Sequence, residues 1–344
     1  MYTTFFRLKK KPFNITPDPA FLFLTDQHRE ALAGLTYAIL DRKGFLTLSG
    51  TAGSGKTTIL SWVLQKLAAS DVQTSVILNP MLAPDEFLEM IMLDFGITDI
   101  PDSKARRIWQ LHKFLLQGKR EGKISVLIVD EAHKLTPELL EEIRLLGNFE
   151  CPDEKLLQVV LSGQSELDDL LNRPDLWQFR QRLSIRLSLQ PLAEDEVGQY
   201  IAHRWRVAGG EDTPPFSSET ISRLAKWSKG IPRLINSICD NALVLAFADS
   251  ATGVSAAHID MAARDLRLIG GNPAPALQTP PLSHRQTAVA TAVPRTSVAS
   301  PKATATVPVA DPPPMVWPIR LRTVEAYAVK RSFWSRWAAK LGLA

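Results

Sequence analysis

Short apolar runs alternate with amphipathic stretches through the first 190 positions of this 344-residue chain. Phe45–Ser49, Ser75–Leu78, Ile124–Val129, Leu156–Ser162 and Ile185–Leu189 read as strands. Ile124–Val129 is apolar without interruption but for Ser125, as a strand covered on both faces should be. Between the strands, Thr57–Ala68, Asp85–Phe95, Ser103–Arg120 and Pro137–Leu146 carry helical spacing. Such alternation implies an α/β fold, a parallel sheet with helices on both faces. After Pro191 the strand pattern stops. Glu194–Val207, Ser218–Trp227, Ile231–Ala248 and Ala256–Leu266 then read as four helices. The expected partition is an α/β domain over 1–190 and a small all-α domain over 191–270.

Composition changes this picture only beyond residue 270. Positions 271–318 are rich in Pro, Ala, Thr and Ser, too poor in large apolar side chains to offset chain entropy, and are expected to form a disordered linker. Positions 319–344 turn apolar and basic again. On a helix, Phe333, Trp334, Trp337 and Leu341 gather on one side, with Lys330, Arg331, Arg336 and Lys340 around its edges. That pattern suits a membrane surface, a partner's groove, or a helix folded back on its own core. Trp62, Trp109, Trp177, Trp205 and Trp227 fall within helices and are expected to pack. Cys151 and Cys239 form no metal or disulfide spacing and read as reduced thiols. The net charge of +4 admits nucleic acid or an anionic membrane without pointing to either. Pro12, Asn14, Pro17 and Asp18 interrupt any signal-like apolar run, and no stretch reaches the ~18 apolar residues of a membrane span. The expected location is the cytosol or the membrane face that borders it.

Two segments carry chemistry. Gly50-Thr51-Ala52-Gly53-Ser54-Gly55-Lys56-Thr57 fits the GxxxxGK[ST] pattern between a strand and a helix. Its glycines let backbone N–H groups from Gly50 through Thr58 turn around phosphate oxygens, and the helix that follows presents its positive end to the same anion. Lys56 should reach the β- and γ-phosphates of ATP, and the Thr57 hydroxyl should ligate Mg²⁺. The strand Val126–Val129 runs into Asp130-Glu131. Adjacent carboxylates at a strand end point to different sides, so Asp130 can serve the Mg²⁺ shell while Glu131 aims at an attacking water.

These motifs, the helical region after them and two N-terminal segments together resemble the ExeA/GspA-type AAA+ ATPases, associated with general secretion and envelope assembly. The N-terminal segments are Lys11-Pro12-Phe13-Asn14-Ile15-Thr16-Pro17-Asp18-Pro19 and His28-Arg29-Glu30-Ala31-Leu32. Asp130-Glu131-Ala132-His133 also matches, and the resemblance covers residues 1 to about 270. It implies a P-loop AAA+ fold with a helical lid. It implies a sensor residue after the fourth strand, Gln164 or, second, Ser162. An arginine finger for a neighbouring subunit falls in Phe179-Arg180-Gln181-Arg182, with Arg182 slightly ahead of Arg180. A second sensor arginine follows at Arg233 in Gly230-Ile231-Pro232-Arg233. A finger given in trans implies a homo-oligomer, a ring or filament. The Phe13–Phe23 segment either borders the adenine or packs in the core. Members of this family often continue into a membrane helix and a peptidoglycan-binding domain, neither of which is legible here.

The resulting expectation is an ATPase that hydrolyses Mg-ATP between subunits and serves secretion, cell-envelope or exopolysaccharide assembly through a partner protein or membrane surface. A DNA-transaction ATPase of the TniB/TnsC transposition type shares the same layout. Neither a helix-turn-helix pattern nor a dense Lys/Arg stripe favours it in the sequence. A nucleotide-dependent scaffold that does not hydrolyse would lack the catalytic carboxylate, yet Glu131 is present.

Overall fold

A computed structural model describes residues 2–268, other than 17, 68–70, 153 and 211–212. Five parallel strands form its sheet: β1 (Phe45–Gly50), β2 (Val72–Ile77), β3 (Ile124–Val129), β4 (Leu157–Ser162) and β5 (Leu183–Leu189). Their spatial order is β2-β3-β4-β1-β5. The chain leaves central β1 for the far edge, steps back strand by strand, then crosses to the other side of β1. The carboxyl ends of β3, β4 and β1 therefore lie side by side, the place where open parallel sheets hold ligands.

The helices, apart from the four-residue turns Tyr2–Phe5 and Trp177–Arg180, are α1 (Asp26–Leu40), α2 (Lys56–Leu67), α3 (Pro84–Asp94), α4 (Lys104–Arg120), α5 (Pro137–Leu146), α6 (Glu166–Leu171), α7 (Glu194–Val207), α8 (Ser218–Ser228), α9 (Pro232–Ala248) and α10 (Ala256–Asp265). Local chemistry explains several starts. The Thr25, Thr136, Ser217 and Ser255 hydroxyls accept the N–H of the residue three positions on. Pro137 and Pro232 occupy first helical positions, where a missing N–H costs nothing.

Two features depart from the sequence pattern. Strand β2 begins at Val72, three residues before the apolar run, because it is an edge strand whose Gln73 and Thr74 stay half-buried. Helix α1 (Asp26–Leu40) is not announced by the apolar pattern. Gly34 interrupts its apolar spacing where the helix approaches β5 closely: a Cβ at this position would lie 3.0 Å from the end of the Leu187 side chain, which would have to give way. Two of the five tryptophans are corrected as well. Trp109 and Trp177 are 56% and 48% exposed, so they do not pack, whereas Trp205 is buried. The expected linker and C-terminal helix lie outside the described residues.

Two hydrophobic clusters hold these residues. One joins the sheet to α3, α4 and α5 through Phe87, Leu111, Leu127, Val159 and Ile143. The other joins α7, α8, α9 and α10 through Ile201, Leu224, Ile238 and Ile259. The second cluster also takes in Tyr2, Leu8, Phe13 and Phe21 from the start of the chain. Phe13 is fully buried and meets Phe216 edge-on at 5.9 Å. The opening segment thus packs with the helices beyond 190, not with the sheet.

Candidate active site

A cleft of about 380 Å³ opens at the carboxyl edge of the sheet. Its walls include the Ala52–Thr58 loop, Glu131 and Gln164 from the sheet side, Asn14–Thr16 and Phe21–Phe23 from the opening segment, and Tyr200, Arg204, Arg233 and Asn236 from the helices. The volume falls in the range of small-molecule sites.

Gly50, Gly53 and Gly55 all take φ between +80° and +153°, conformations that side chains disfavour. Gly53 is also crowded: an added Cβ would lie 2.7 Å from the Arg233 Cβ. Lys56 is buried, and its ammonium donates to the Gly50 and Thr51 carbonyls at 2.8 and 3.0 Å. Burial pulls its pKa below the ordinary lysine value, against the opposing fields of Asp130, Glu131 and Glu166. The Ser54 and Thr51 hydroxyls are buried without a partner on the same loop. A loop with an idle buried hydroxyl pair and a desolvated cation suits an anion with several acceptor oxygens.

Asp130 is nearly buried at the end of β3 and is engaged on all sides. One carboxylate oxygen accepts the Thr57 hydroxyl at 3.1 Å. The other accepts the Ser162 hydroxyl at 2.8 Å and the Glu131 N–H at 3.0 Å. Thr57 and Asp130 thus place two hard oxygen donors side by side. That fits Mg²⁺, which takes few protein ligands and completes its shell with phosphates and water. Among the described residues, no group of three or more His, Cys, Asp or Glu forms a metal cage.

Glu131 adopts a left-handed conformation with φ +54°, uncommon for a non-glycine residue and frequent at functional positions. Its carboxylate lies 3.4 Å from the Lys134 ammonium and 3.6 Å from His133 Nε2. His133 Nδ1 accepts the Gln164 N–H at 3.3 Å, and the Gln164 amide meets His133 Nε2 at 3.3 Å. Both sensor candidates are therefore next to a carboxylate of the pair: Ser162 on Asp130, Gln164 toward Glu131 through His133.

Arg233 also borders the cleft. Its N–H donates to the Gly53 carbonyl at 3.3 Å, and its side chain is exposed. Arg182 is not brought to the cleft. It precedes β5 at the opposite end of the sheet, and six residues of parallel strand, about 20 Å, separate that level from Gly50. Its guanidinium donates to Asn148 Oδ1 at 2.5 Å and to the Arg144 carbonyl at 3.4 Å. Arg180, two residues earlier, is exposed with no hydrogen bond or ion pair among the described residues.

Sequence reasoning left several cleft residues out. Arg204 is buried, yet among the described residues no acid pairs with it. Its guanidinium donates to the Pro12 carbonyl at 2.6 Å, the Asn14 carbonyl at 3.4 Å and the Tyr200 hydroxyl at 3.3 Å, and it lies 4.8 Å from the Phe21 ring centroid. The Tyr200 hydroxyl in turn donates to Asn236 at 2.8 Å. These positions are almost two hundred residues apart and share no local signature. Of the Phe13–Phe23 segment, Phe13 and Phe21 belong to the helical core cluster and Phe23 packs against it, while Phe21 and Phe23 also line the cleft.

The sheet order and the phosphate loop define a P-loop AAA+ fold. A family model described as an AAA domain matches residues 39–171. Over 267 residues, 77% of its length, the chain is 41% identical to General secretion pathway protein A of Aeromonas hydrophila. It spans 48% of that relative. The resemblance to the ExeA/GspA-type AAA+ ATPases thus extends over 77% of the chain. Among solved structures, the Aeropyrum pernix ORC1 protein in complex with DNA matches with a TM-score of 0.56 at 18% identity, over 75% of this chain and 69% of that one. The Aeropyrum pernix ORC2 protein matches with 0.55 at 17% identity, over 75% and 72%. At such identities the likeness shows the fold alone.

Proposed function

We propose that the chain binds Mg-ATP in this cleft and hydrolyses it. The observation that carries the reading is the Thr57–Asp130–Ser162 hydrogen-bonded set, which joins the phosphate loop to the ends of β3 and β4. Thr57 and Asp130 would hold Mg²⁺, which when bound neutralises phosphate charge. Lys56 would exchange its loop carbonyls for the β- and γ-phosphates. Glu131 would orient a water whose oxygen bonds to the γ-phosphorus as the bond to the bridging oxygen of ADP breaks, and would take up the water's proton. Gln164 and Arg233 would hold γ-phosphate oxygens from two sides. Glu131→Gln should keep ATP binding and lower phosphate release by at least about 100-fold. Equal turnover in Glu131→Gln and the parent chain would sink the hydrolytic reading and leave a nucleotide-dependent scaffold.

Assembly is part of the proposal. A finger must be free to leave its own chain. Arg180 is free among the described residues, whereas Arg182 is tied to Asn148, so Arg180 is now the favoured finger. Specific activity that rises with protein concentration, and falls in Arg180→Ala with ATP affinity unchanged, is the expected result. The likeness to General secretion pathway protein A supports service in secretion or envelope assembly. Among the described residues no helix is long and apolar enough to cross a membrane. A cytosolic site of action, or one against the membrane surface, is proposed accordingly.

One observation favours a DNA-transaction reading as the alternative. Helix α4 contains no acidic residue, and Arg106, Trp109, Lys113 and Arg120 are exposed along one face. Its flanking cations are neutralised within the chain, Lys104 by Glu142, Arg107 by Glu89 and Lys119 by Glu154. Three cations, Arg106, Lys113 and Arg120, therefore remain outward on that face, more sparsely than in a dense basic stripe. Binding to duplex DNA that weakens steeply with salt, and is lost in Arg106→Ala/Lys113→Ala/Arg120→Ala, would promote this alternative. No retention at low salt with ATP would remove it.

A further inference from the structure

His133 follows Glu131 closely in the chain, yet no step of the proposed reaction uses it. We propose that His133 is a positioning residue: its imidazole, seated on the backbone that follows β4, holds the Glu131 carboxylate in register with Gln164. The proposal rests on the hydrolytic reading of the cleft.

Packing fixes the place of the ring. Ala132 and Leu135 are buried in the sheet cluster and pin the short turn Ala132–Lys134 that carries it. The His133 side chain is 12% exposed. Opposite the turn, Gly163 lets the end of β4 come close: a Cβ there would lie 3.1 Å from the His133 backbone nitrogen. The Gln164 N–H then donates to Nδ1 at 3.3 Å. The direction of that N–H is set by the main chain, so it decides the tautomer. Nδ1 accepts, and the neutral ring carries its proton on Nε2.

This Nε2–H faces two groups of the site. The Glu131 carboxylate lies 3.6 Å away, and the Gln164 side-chain amide 3.3 Å away. A half-turn of the amide offers its carbonyl oxygen to the same proton. One ring nitrogen thus sits between the group that would orient the water and the group that would hold a γ-phosphate oxygen. Glu131 needs such a restraint. Its carboxylate is 38% exposed, and the Lys134 ammonium at 3.4 Å is 44% exposed. An ion pair between two groups open to water fixes direction poorly. The imidazole, held at Nδ1 and mostly buried, is the firmer guide. At 3.6 Å its contact with Glu131 is longer than a hydrogen bond, as catalytic contacts often are before substrate binds, and a rotation of the carboxylate tightens it.

Two substitutions separate the two sides of the ring. In His133→Asn the amide oxygen falls near the Nδ1 position and accepts the Gln164 N–H, but nothing reaches Glu131. In His133→Gln the amide extends to the Nε2 position and donates there. In the full chain, His133→Asn should lower kcat for ATP hydrolysis about tenfold, the effect of roughly one lost hydrogen bond to a charged group, with ATP affinity within about twofold of the parent. His133→Gln should keep kcat within about threefold. Lys134→Ala should change kcat less than about twofold. Equal losses in both His133 variants with a lowered unfolding temperature would mean packing alone and overturn the proposal. So would parental kcat in His133→Asn, or a tenfold loss in Lys134→Ala. Glu131→Gln is the reference. If it turns over as the parent does, the hydrolytic reading itself fails. If it is inactive while His133→Asn is not, only the role of His133 falls.

Discussion

The two hydrophobic clusters are assembled in opposite ways. The sheet cluster is drawn from one continuous stretch, Phe45 to Phe179 and the half-buried Leu183. The helical cluster is drawn from both ends of the described chain, Tyr2–Phe21 and Leu192–Ala262. The first can be completed by neighbours in sequence. The second exists only when the opening segment docks across almost two hundred residues, held at Arg204 by the Pro12 and Asn14 carbonyls. The cleft lies between them, so its phosphate side belongs to the local cluster and much of its remaining wall to the long-range one.

The largest expected effects divide the clusters. Phe13→Ala should cost about 3–5 kcal/mol, and Leu127→Ala about 2–5 kcal/mol. Hydrogen exchange in Phe13→Ala should rise first in α7 to α10, with β1 and β3 still protected. Leu127→Ala should expose the strands. Uniform loss of protection in both variants would mean that the clusters unfold as one, and the distinction would collapse. Next in size, Arg233→Ala should lower turnover about tenfold with little change in stability, because its side chain is exposed. A fall in unfolding temperature as large as that of Phe13→Ala would recast Arg233 as a strut between the clusters.

The smallest effect is a pH dependence that sharpens the contrast. Burial pushes the pKa of His28 and of His203 on α7 below the ordinary histidine value of about 6.5. The folded state therefore refuses protons that the unfolded chain accepts. This stability is fully present above about pH 6.5 and is lost as pH falls below it toward the folded-state values. Both rings lie on the helical side of the cleft or at its seam. Acidification from pH 7.5 to 5.5 should loosen that side first, and a His28→Gln/His203→Gln chain should show a flatter profile. Identical profiles would assign acid sensitivity elsewhere.

The same division governs what the sequence reveals. All five strands, the Gly50–Thr57 loop and the Asp130-Glu131 pair are legible because each is a local pattern imposed by the sheet. The start of β2 is obscured by polar edge residues, and α1 by Gly34, which sits close to the Leu187 side chain far along the chain. Arg204, Tyr200 and Asn236 enter the cleft through tertiary docking, and no spacing announces them; His28 stands in a segment legible in the sequence, but its place at the cleft is not. Trp109 looks like a packing residue by its place in a helix, yet it faces outward beside Lys113, 5.3 Å above its ring.

The bond from Arg204 to Pro12 also has a consequence for biosynthesis. The partners are 192 residues apart. At ~5–20 residues per second a ribosome needs roughly 10–40 s to span that interval. Throughout it, Phe5, Phe6, Phe13, Phe21 and Phe23 have emerged while the helices that cover them have not. The sheet can collapse early, but this aromatic leader must wait. These rings stay uncovered until α7 to α9 have been made, and the cleft closes only once those helices have left the exit tunnel.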